Sequence, residues 1–329
     1  MKVTQWVLLW TIQTVVGFQT RYSWPTRSPA RATALPQTDT TSSFSSLVEN
    51  GLVEKFGAKK VQRVIDAWRR MADGEVLETA IDASHPLMVQ ECNSYLEGLP
   101  ITLFHSPPKH WKWVPTLERS WRVVRDELRA ALENPEETEA AGNNVWVGPL
   151  AGEEVAQAYG SEWKTLGLFD RSDWDETNVG LFPRTSALLN KCGVPLVEAL
   201  FAKMSPGSSI KAHSDMSNFV LTAHLGIDVP EGECWIQVGN ERREWKNGKM
   251  LVFDTSVLHE AANESPRDRY VLMLRLWHPD VTQAERKALQ FIFDCVSDEE
   301  IVKDRATYEM YDDLILQREK YYKTILKTS

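Results

Sequence analysis

Two side chains in residues 212–215, AHSD, are of types that could bind a metal ion. His213 and Asp215 are two residues apart, so both project from the same face if this stretch is extended. An imidazole and a carboxylate on one face supply two ligands of a facial triad, and the distant His259 could supply the third. Two histidines and one carboxylate leave three positions of Fe(II) open, which suits bidentate 2-oxoglutarate plus O2. The HxD pattern alone is common and does not establish this chemistry.

A cationic residue follows the third candidate ligand. Arg269 opens the apolar run RYVLMLRLW. A guanidinium that points into a barrel is costly unless it meets a carboxylate, and its planar fork suits bidentate binding of one. The distal carboxylate of 2-oxoglutarate would be that partner. The alternative is a surface arginine after the turn NESPRD, and the spacing alone leaves both open.

The elements that must position these residues are helical in the first part of the chain. Residues from about 46 to 99 follow a helical pattern, in which Val61, Ile65 and Trp68 share one face. A second helix is predicted over residues 117–132.

From Val145 onward the pattern becomes β-rich. Short stretches of β-branched and aromatic residues alternate with Gly, Asn and Pro turns, which predicts an all-β sandwich or barrel. The predicted strands are 201–204, 219–227, 235–238, 250–253 and 270–277. Helices return after Pro279, where two capping boxes are predicted. Their residue pairs are Thr282 with Glu285 and Ser297 with Glu300.

Composition excludes some classes of function. The chain has 329 residues, is 43% hydrophobic and 25% charged, and carries a net charge of −9. Residues 1–45 hold four basic residues against one acidic residue, a balance of +3 that leaves −12 for the rest. A net negative charge outside the N-terminal residues argues against nucleic acid as a partner.

The four cysteines form no CxxC pair, which excludes a zinc ribbon or thioredoxin-type motif. Buried free thiols and disulfides both remain open.

The N-terminal residues have the composition of targeting segments. Residues 1–18 contain a short apolar run typical of a signal segment, too short to span a bilayer comfortably. Residues 19–47 form a low-complexity leader rich in Ser, Thr, Arg and Pro, as in transit peptides. The two together predict either entry into the secretory pathway and endoplasmic reticulum or, as a bipartite leader, delivery to a plastid. We expect no stable membrane span in the mature chain.

Several motifs together resemble one known family. They are HLG at 224–226, EWKNGK at 244–249, FDTSVLHEA at 253–261, Arg269 and WHP at 277–279. With weaker agreement upstream, residues from about 110 to 290 resemble the aspartyl/asparaginyl β-hydroxylase family. The resemblance implies an α+β fold with a double-stranded β-helix (jelly-roll, cupin-like) core and flanking N- and C-terminal helices.

The resemblance also implies roles for individual residues. His213 and His259 match the iron-binding histidines, and Arg269 matches the residue that binds the distal carboxylate of 2-oxoglutarate. His224 matches a histidine near the other carboxylate, although a core histidine on a strand is the alternative. The implied reaction uses Fe(II), 2-oxoglutarate and O2, hydroxylates a C–H bond of a peptidyl Asp/Asn or related substrate, and releases succinate and CO2.

Three positions depart from the family pattern. Asp215 stands where the animal enzyme has a glycine, although many bacterial relatives have an aspartate there. Thr222 stands where the family usually has an arginine for the cosubstrate, and Ala202 replaces a serine that helps hold the distal carboxylate. Losing a charge-assisted hydrogen bond costs about 1.5–3 kcal/mol, or about ten- to a hundredfold in affinity. These changes bear directly on 2-oxoglutarate binding.

The sequence thus predicts a helical extension over 48–105 and a dioxygenase domain with C-terminal helices over 106–329. Two other hypotheses remain open. One is a catalytically inactive β-helix domain that binds a ligand or protein, which Thr222 and Ala202 favour. The other is a cupin-type metalloenzyme without 2-oxoglutarate, in which Arg269 would have no role. The substrate, peptide or small molecule, does not follow from the sequence.

Overall fold

The computed structural model describes residues 43–106, 111–136, 146, 158–160 and 162–326. The predicted signal segment and nearly all of the predicted leader lie outside these ranges. The leader was predicted to extend to residue 47, but Ser43 already caps a helix that begins at Phe44, and its side chain accepts from the Ser46 N–H. No helix among the described residues combines the length and apolarity needed to cross a membrane.

Most of the helices precede or follow the main run of strands, which lies between residues 196 and 277. They are α1 (Phe44–Phe56), a 3-10 turn (Ala58–Lys60), α2 (Gln62–Asp73), α3 (Val114–Glu133), α4 (Glu176–Leu181), α5 (Pro183–Cys192), α6 (Gln283–Ser297), α7 (Glu300–Lys303) and α8 (Arg305–Ile325).

The strands lie mostly between α5 and α6. They are β1 (Leu77–Ala80), β2 (Val89–Cys92), β3 (Phe104–His105), β4 (Trp163–Asp170), β5 (Asp173–Trp174), β6 (Leu196–Met204), β7 (Ser208–His213), β8 (Val220–Asp228), β9 (Cys234–Val238), β10 (Glu241–Glu244), β11 (Met250–Phe253), β12 (His259–Asn263) and β13 (Arg269–Trp277).

Two antiparallel sheets form the core. One has the order β3-β11-β8-β13-β6-β4-β5 and the other β10-β9-β12-β7. Alternate residues of β13 point to opposite faces: Val271 joins the apolar cluster between the sheets, whereas Leu272 and Leu274 face outward. On the inner side of the smaller sheet, Ile236 and Ala261 belong to the same cluster. This arrangement confirms the predicted α+β class with a double-stranded β-helix core.

The helices cover the remaining apolar faces. Helices α3 to α5 pack on the outer face of the larger sheet, and α1 and α2 pack with α6 to α8 at one end of it. Arg63 on α2 pairs with Glu285 on α6, which joins the N- and C-terminal helices. The predicted capping box of Thr282 and Glu285 is confirmed. The second is wrong, because Ser297 is the last residue of α6 and α7 begins without a side-chain cap.

The prediction of helix over residues 46–99 is correct only as far as Asp73. Gly74 takes the left-handed conformation and ends α2. The chain then forms the antiparallel pair β1 and β2, after which residues 93–96 run on without regular structure. Residues 89–96, here called the clamp segment, lie against the loops that carry the candidate metal ligands.

The five predicted strands are all present, with small changes in their bounds. Five of the described strands in the β-rich part were not predicted from apolar stretches: β4, β5, β7, β10 and β12. Of these, β7 and β12 are short and rich in polar or small residues, SSIKAH and HEAAN. All four cysteines are free thiols, and Cys92, Cys234 and Cys295 are buried.

Candidate metal centre

His213, Asp215 and His259 meet at one end of the space between the two sheets. His213 ends β7 and His259 begins β12, and the two residues are paired in strand register. The Nε2 atoms of the histidines lie 3.7 Å (His213) and 3.9 Å (His259) from Oδ1 of Asp215. One donor atom from each residue lies within 4.8 Å of the others, and all three residues are buried. Of the described residues, these alone form such a cluster.

Asp215 reaches this position differently from the prediction. The sequence predicted that His213 and Asp215 share one face of an extended stretch, but β7 ends at His213. The backbone N–H of Asp215 instead donates to the carbonyl of Thr255, at 2.7 Å. Met216 then takes a left-handed conformation with φ of 62°, which turns the chain away from the cavity. A turn, rather than strand alternation, therefore brings the carboxylate to the histidines.

The two histidines present their Nε2 atoms as acceptors. Nδ1 of His213 lies 2.7 Å from the Lys211 carbonyl oxygen, and Nδ1 of His259 lies 3.0 Å from that of Val257. A carbonyl can only accept, so each Nδ1 carries the proton and each Nε2 keeps its lone pair. Burial lowers the pKa of His213 and lowers that of His259 to about 4, so both rings are neutral at pH 7.

This donor set fits a divalent transition metal. Neutral imidazoles and one carboxylate are ligands that Fe(II) accepts, and the imidazole tautomers are already fixed by the backbone. The buried Nε2 of His213 finds no hydrogen-bond partner within the described ranges. Orphaned buried acceptors of this kind are uncommon unless an ion or ligand satisfies them.

Two residues that the sequence reasoning missed hold the carboxylate of Asp215. Arg275 on β13 donates from Nη1 to Oδ2, and the Tyr159 hydroxyl donates to Oδ1 at 3.1 Å. Arg275 lies six positions after Arg269 on the same strand, so strand alternation could have placed both on the inner face. Tyr159 had no comparable signal, because it lies outside any predicted strand.

The clamp segment supports both ligand loops. The Ser214 hydroxyl lies 2.7 Å from the Glu91 carbonyl oxygen and 3.1 Å from that of Ser256. The Glu91 N–H also donates to the Ser256 carbonyl, at 2.9 Å. The Asn218 side chain makes two hydrogen bonds to the backbone of Leu96. The loop after β7 and the loop before β12 are thus tied to one another through β2.

Arg269 is buried in the same cavity, which rules out the alternative of a surface arginine. Its side chain is 1% exposed and its guanidinium lies 4.4 Å from the centre of the Trp245 ring. Nε and Nη1 have no hydrogen-bond partner in the part of the chain that the structure describes. Burial lowers the pKa of Arg269 to about 10, so it remains a cation at neutral pH.

The cavity that joins Arg269 to the triad has a volume of about 40 Å³ and opens to solvent. His224 and Thr222 line it. His224 is buried, and neither ring nitrogen has a hydrogen-bond partner among the described residues. Burial and then Arg269 lower its pKa well below the usual range. The Thr222 hydroxyl lies 3.1 Å from that of Thr255. Ala202 packs in the apolar cluster between the sheets.

The remaining wall of the cavity is largely apolar. It includes Ile210, Ile236 and Met273, with Tyr159 and Trp163 on one side. The cavity thus has a candidate metal centre, a buried cation with two nitrogens that no described residue satisfies, and apolar walls between them.

Comparisons with known proteins agree with this description. Residues 118–279 match the family model described as Aspartyl/Asparaginyl beta-hydroxylase. The mouse aspartyl/asparaginyl beta-hydroxylase is 28% identical over 183 residues, which cover 54% of this chain and 23% of that protein. The human aspartate beta-hydroxylase domain-containing protein 2 is 32% identical over 207 residues, 60% of this chain and 53% of that protein.

A bacterial relative shows similar agreement. The ornithine lipid ester-linked acyl 2-hydroxylase of Rhizobium tropici is 30% identical over 170 residues, 51% of this chain and 58% of that protein. The chain therefore spans less than two thirds of each of these three relatives. Among solved structures, a cupin domain of an XRE family transcriptional regulator from Enterobacter cloacae covers 36% of this chain and 98% of its own, at 16% identity and a TM-score of 0.26. The sheet order, not this overlap, carries the fold assignment.

Proposed function

Because residues 118–279 belong to the aspartyl/asparaginyl beta-hydroxylase family, we propose that this chain is an Fe(II)- and 2-oxoglutarate-dependent dioxygenase. It hydroxylates a C–H bond of a peptidyl Asp or Asn, or of a related substrate, and releases succinate and CO2. The observation that carries the proposal is the buried guanidinium of Arg269, whose Nε and Nη1 have no partner among the described residues, in the same cavity as the three candidate ligands.

His213, Asp215 and His259 would hold the iron. Bound Fe(II) supplies the activation of O2 and the oxidation of the C–H bond. Arg275 holds Oδ2 of Asp215, so Oδ1 is the oxygen that faces the two histidines. A carboxylate held in this way would act as a ligand through one oxygen. Three protein ligands leave positions open for a cosubstrate and O2, as in other facial-triad sites.

Arg269 would bind the distal carboxylate of 2-oxoglutarate. An unpaired buried cation is costly, and a carboxylate that accepts two parallel hydrogen bonds from its fork offsets this cost. The guanidinium lies over the face of the Trp245 ring, and this cation–π contact helps to hold it in the cavity. The neutral imidazole of His224 lies in the same cavity, where it can donate one hydrogen bond to a bound anion.

The walls between these groups are largely apolar, so a cosubstrate that fills the cavity would displace water from it. Ile236 and Met273 belong to or pack against the apolar cluster between the sheets. Water excluded from this space strengthens the attraction between Arg269 and an anionic ligand, because the local dielectric constant is low. Binding and orientation of the cosubstrate are therefore the contribution of the chain itself.

The substrate class rests on the relatives' names. Two of the three relatives above are named for aspartyl, asparaginyl or aspartate hydroxylation, and the bacterial one is named for an ornithine lipid acyl chain. A peptidyl Asp or Asn is therefore the first class to test, and an acyl chain is the second.

The test is succinate production from 2-oxoglutarate by the purified chain, reconstituted anaerobically with Fe(II) and then exposed to O2. We expect succinate that requires iron and falls sharply in Asp215→Ala and in Arg269→Ala. Arg267→Ala is the matched control, because Arg267 is exposed and pairs with Asp228.

Two results would count against the proposal. Iron-loaded protein that neither forms succinate nor binds 2-oxoglutarate would favour an inactive β-helix domain that binds a ligand or protein. Succinate that persists in Arg269→Ala at unchanged cosubstrate affinity would remove the assigned role of Arg269.

A further inference from the structure

Tyr159 is the aromatic residue in direct polar contact with the candidate metal ligands. Its hydroxyl donates to Oδ1 of Asp215, the oxygen that also faces both histidines. Its ring centre lies 4.6 Å from that of His213, at an angle of 66°. Tyr159 also lines the cavity that contains Arg269. A phenol therefore lies at the place where the proposed function puts the oxidising chemistry.

The Tyr159 ring is held in this position from two sides. The Trp163 ring lies 4.4 Å from it on the side of β4, and the hydrogen bond to Asp215 fixes the hydroxyl end. Burial raises the pKa of the phenol well above its usual range, so the group is a neutral donor. The ring carbons next to the hydroxyl are electron-rich, whereas the other nearby walls include the aliphatic side chains of Ile210, Ile236 and Ala261.

We propose that Tyr159 is a modification site: without a bound substrate, the enzyme hydroxylates its own Tyr159 ring next to the existing hydroxyl and forms a catechol. This inference rests on the proposed function. One aromatic C–H bond is replaced by C–OH. One oxygen atom of O2 enters the ring and the other enters the new carboxylate of succinate, while the keto acid loses CO2. O2 gains four electrons, two from 2-oxoglutarate and two from the ring, and the displaced ring hydrogen ends in the new hydroxyl group.

The experiment uses the full chain loaded anaerobically with Fe(II) and 2-oxoglutarate, and then exposed to isotopically labelled O2 without substrate. Succinate is measured in the same sample. A glutamate-specific protease releases residues 155–162, which contain Tyr159 as their only aromatic residue. We expect this peptide to gain one labelled oxygen atom, located on the tyrosine by fragmentation. Residues 92–97 are the matched control, since their only tyrosine, Tyr95, lies outside the cavity.

The outcomes separate this inference from the proposed function. Succinate without labelled oxygen on Tyr159 would overturn the inference and leave the dioxygenase assignment intact. Labelling that persists without 2-oxoglutarate, in Asp215→Ala, or equally on Tyr95 would indicate unspecific iron oxidation and overturn it as well. Neither succinate nor label would count against both.

Discussion

Arg275 and Asp215 form a buried ion pair that selects one oxygen of the carboxylate. Arg275 donates to Oδ2, while Oδ1 faces Nε2 of both histidines. Burial opposes ionisation of Asp215, but the charge of Arg275, aided by the neighbouring His259 and His213, outweighs it and holds the pKa of Asp215 well below its usual range. In strand register Arg275 lies opposite Thr222 on β8, so its guanidinium enters the site beside the position that lacks the family's usual arginine.

Replacing Arg275 with methionine should destabilise the metal-free protein by about 3–5 kcal/mol, because the substitution leaves the buried Asp215 carboxylate unpaired. Chemical denaturation measures this change. The double variant Asp215→Asn, Arg275→Met should recover most of the loss, since it removes both charges. Equal stability of the native chain and Arg275→Met would show that the ion pair does not form in solution.

Replacing Arg269 with methionine, in contrast, should not destabilise the metal-free protein. Since this cation has unpaired donors, the metal-free variant should be at least as stable as the native chain. Its affinity for 2-oxoglutarate should fall by about ten- to a hundredfold, as expected for a lost charge-assisted hydrogen bond. Calorimetric titration of the metal-loaded protein measures the affinity, with Arg267→Met as the exposed control. An unchanged affinity would remove Arg269 from the cosubstrate site.

Replacing Ser214 with alanine should weaken metal binding without removing a ligand. The Ser214 hydroxyl ties the ligand loop to Glu91 and Ser256, and loss of such supporting contacts typically costs about 10–100-fold in metal affinity. Titration with Co(II), followed by its visible absorption, gives the dissociation constant. Ser209→Ala is the control, because Ser209 is an exposed residue of β7. Equal affinities in the two variants would show that the loop is held by other contacts.

His259 should make the stability of the metal-free protein depend on pH. Its pKa falls from 6.5 to about 4 on burial, so between these values the unfolded chain binds a proton that the folded chain does not. The contribution of His259 is therefore fully present above pH 6.5 and is lost as the pH falls towards 4, by at most about 1.4 kcal/mol per pH unit. The advantage of the native chain over His259→Gln in denaturation experiments should shrink across this interval. A difference that does not vary with pH would contradict the burial of a neutral His259.

The strands β8, β11 and β13 could be predicted from the sequence because they are apolar and bounded by turns. The residue types of His213, Asp215 and His259 made them candidate ligands, and the family resemblance supported the two histidines, although the strands that carry these histidines were not predicted. Arg269 needed its burial to be observed before the surface alternative could be rejected.

The clamp segment could not be predicted, because its strand has no local signal. β2 has the sequence VQEC, and besides pairing with β1 it makes backbone bonds to a loop far along the chain: the Glu91 N–H to Ser256, and the Leu258 N–H to Val89. Contacts of such long range override local propensity. The same reasoning explains why residues 77–92 were assigned to a helix.

The clamp segment lies outside the part of the chain that identifies the family, although it supports the candidate metal ligands. The family match begins at residue 118, yet the backbone that braces both ligand loops begins at Val89. A fragment that contains only residues 118–279, grafted into another protein, would include every candidate ligand but would lack the clamp segment that holds the ligand loops. For grafting, recombination or the comparison of distant homologues, the shortest segment that preserves this site therefore begins near Val89, upstream of the residues that match the family.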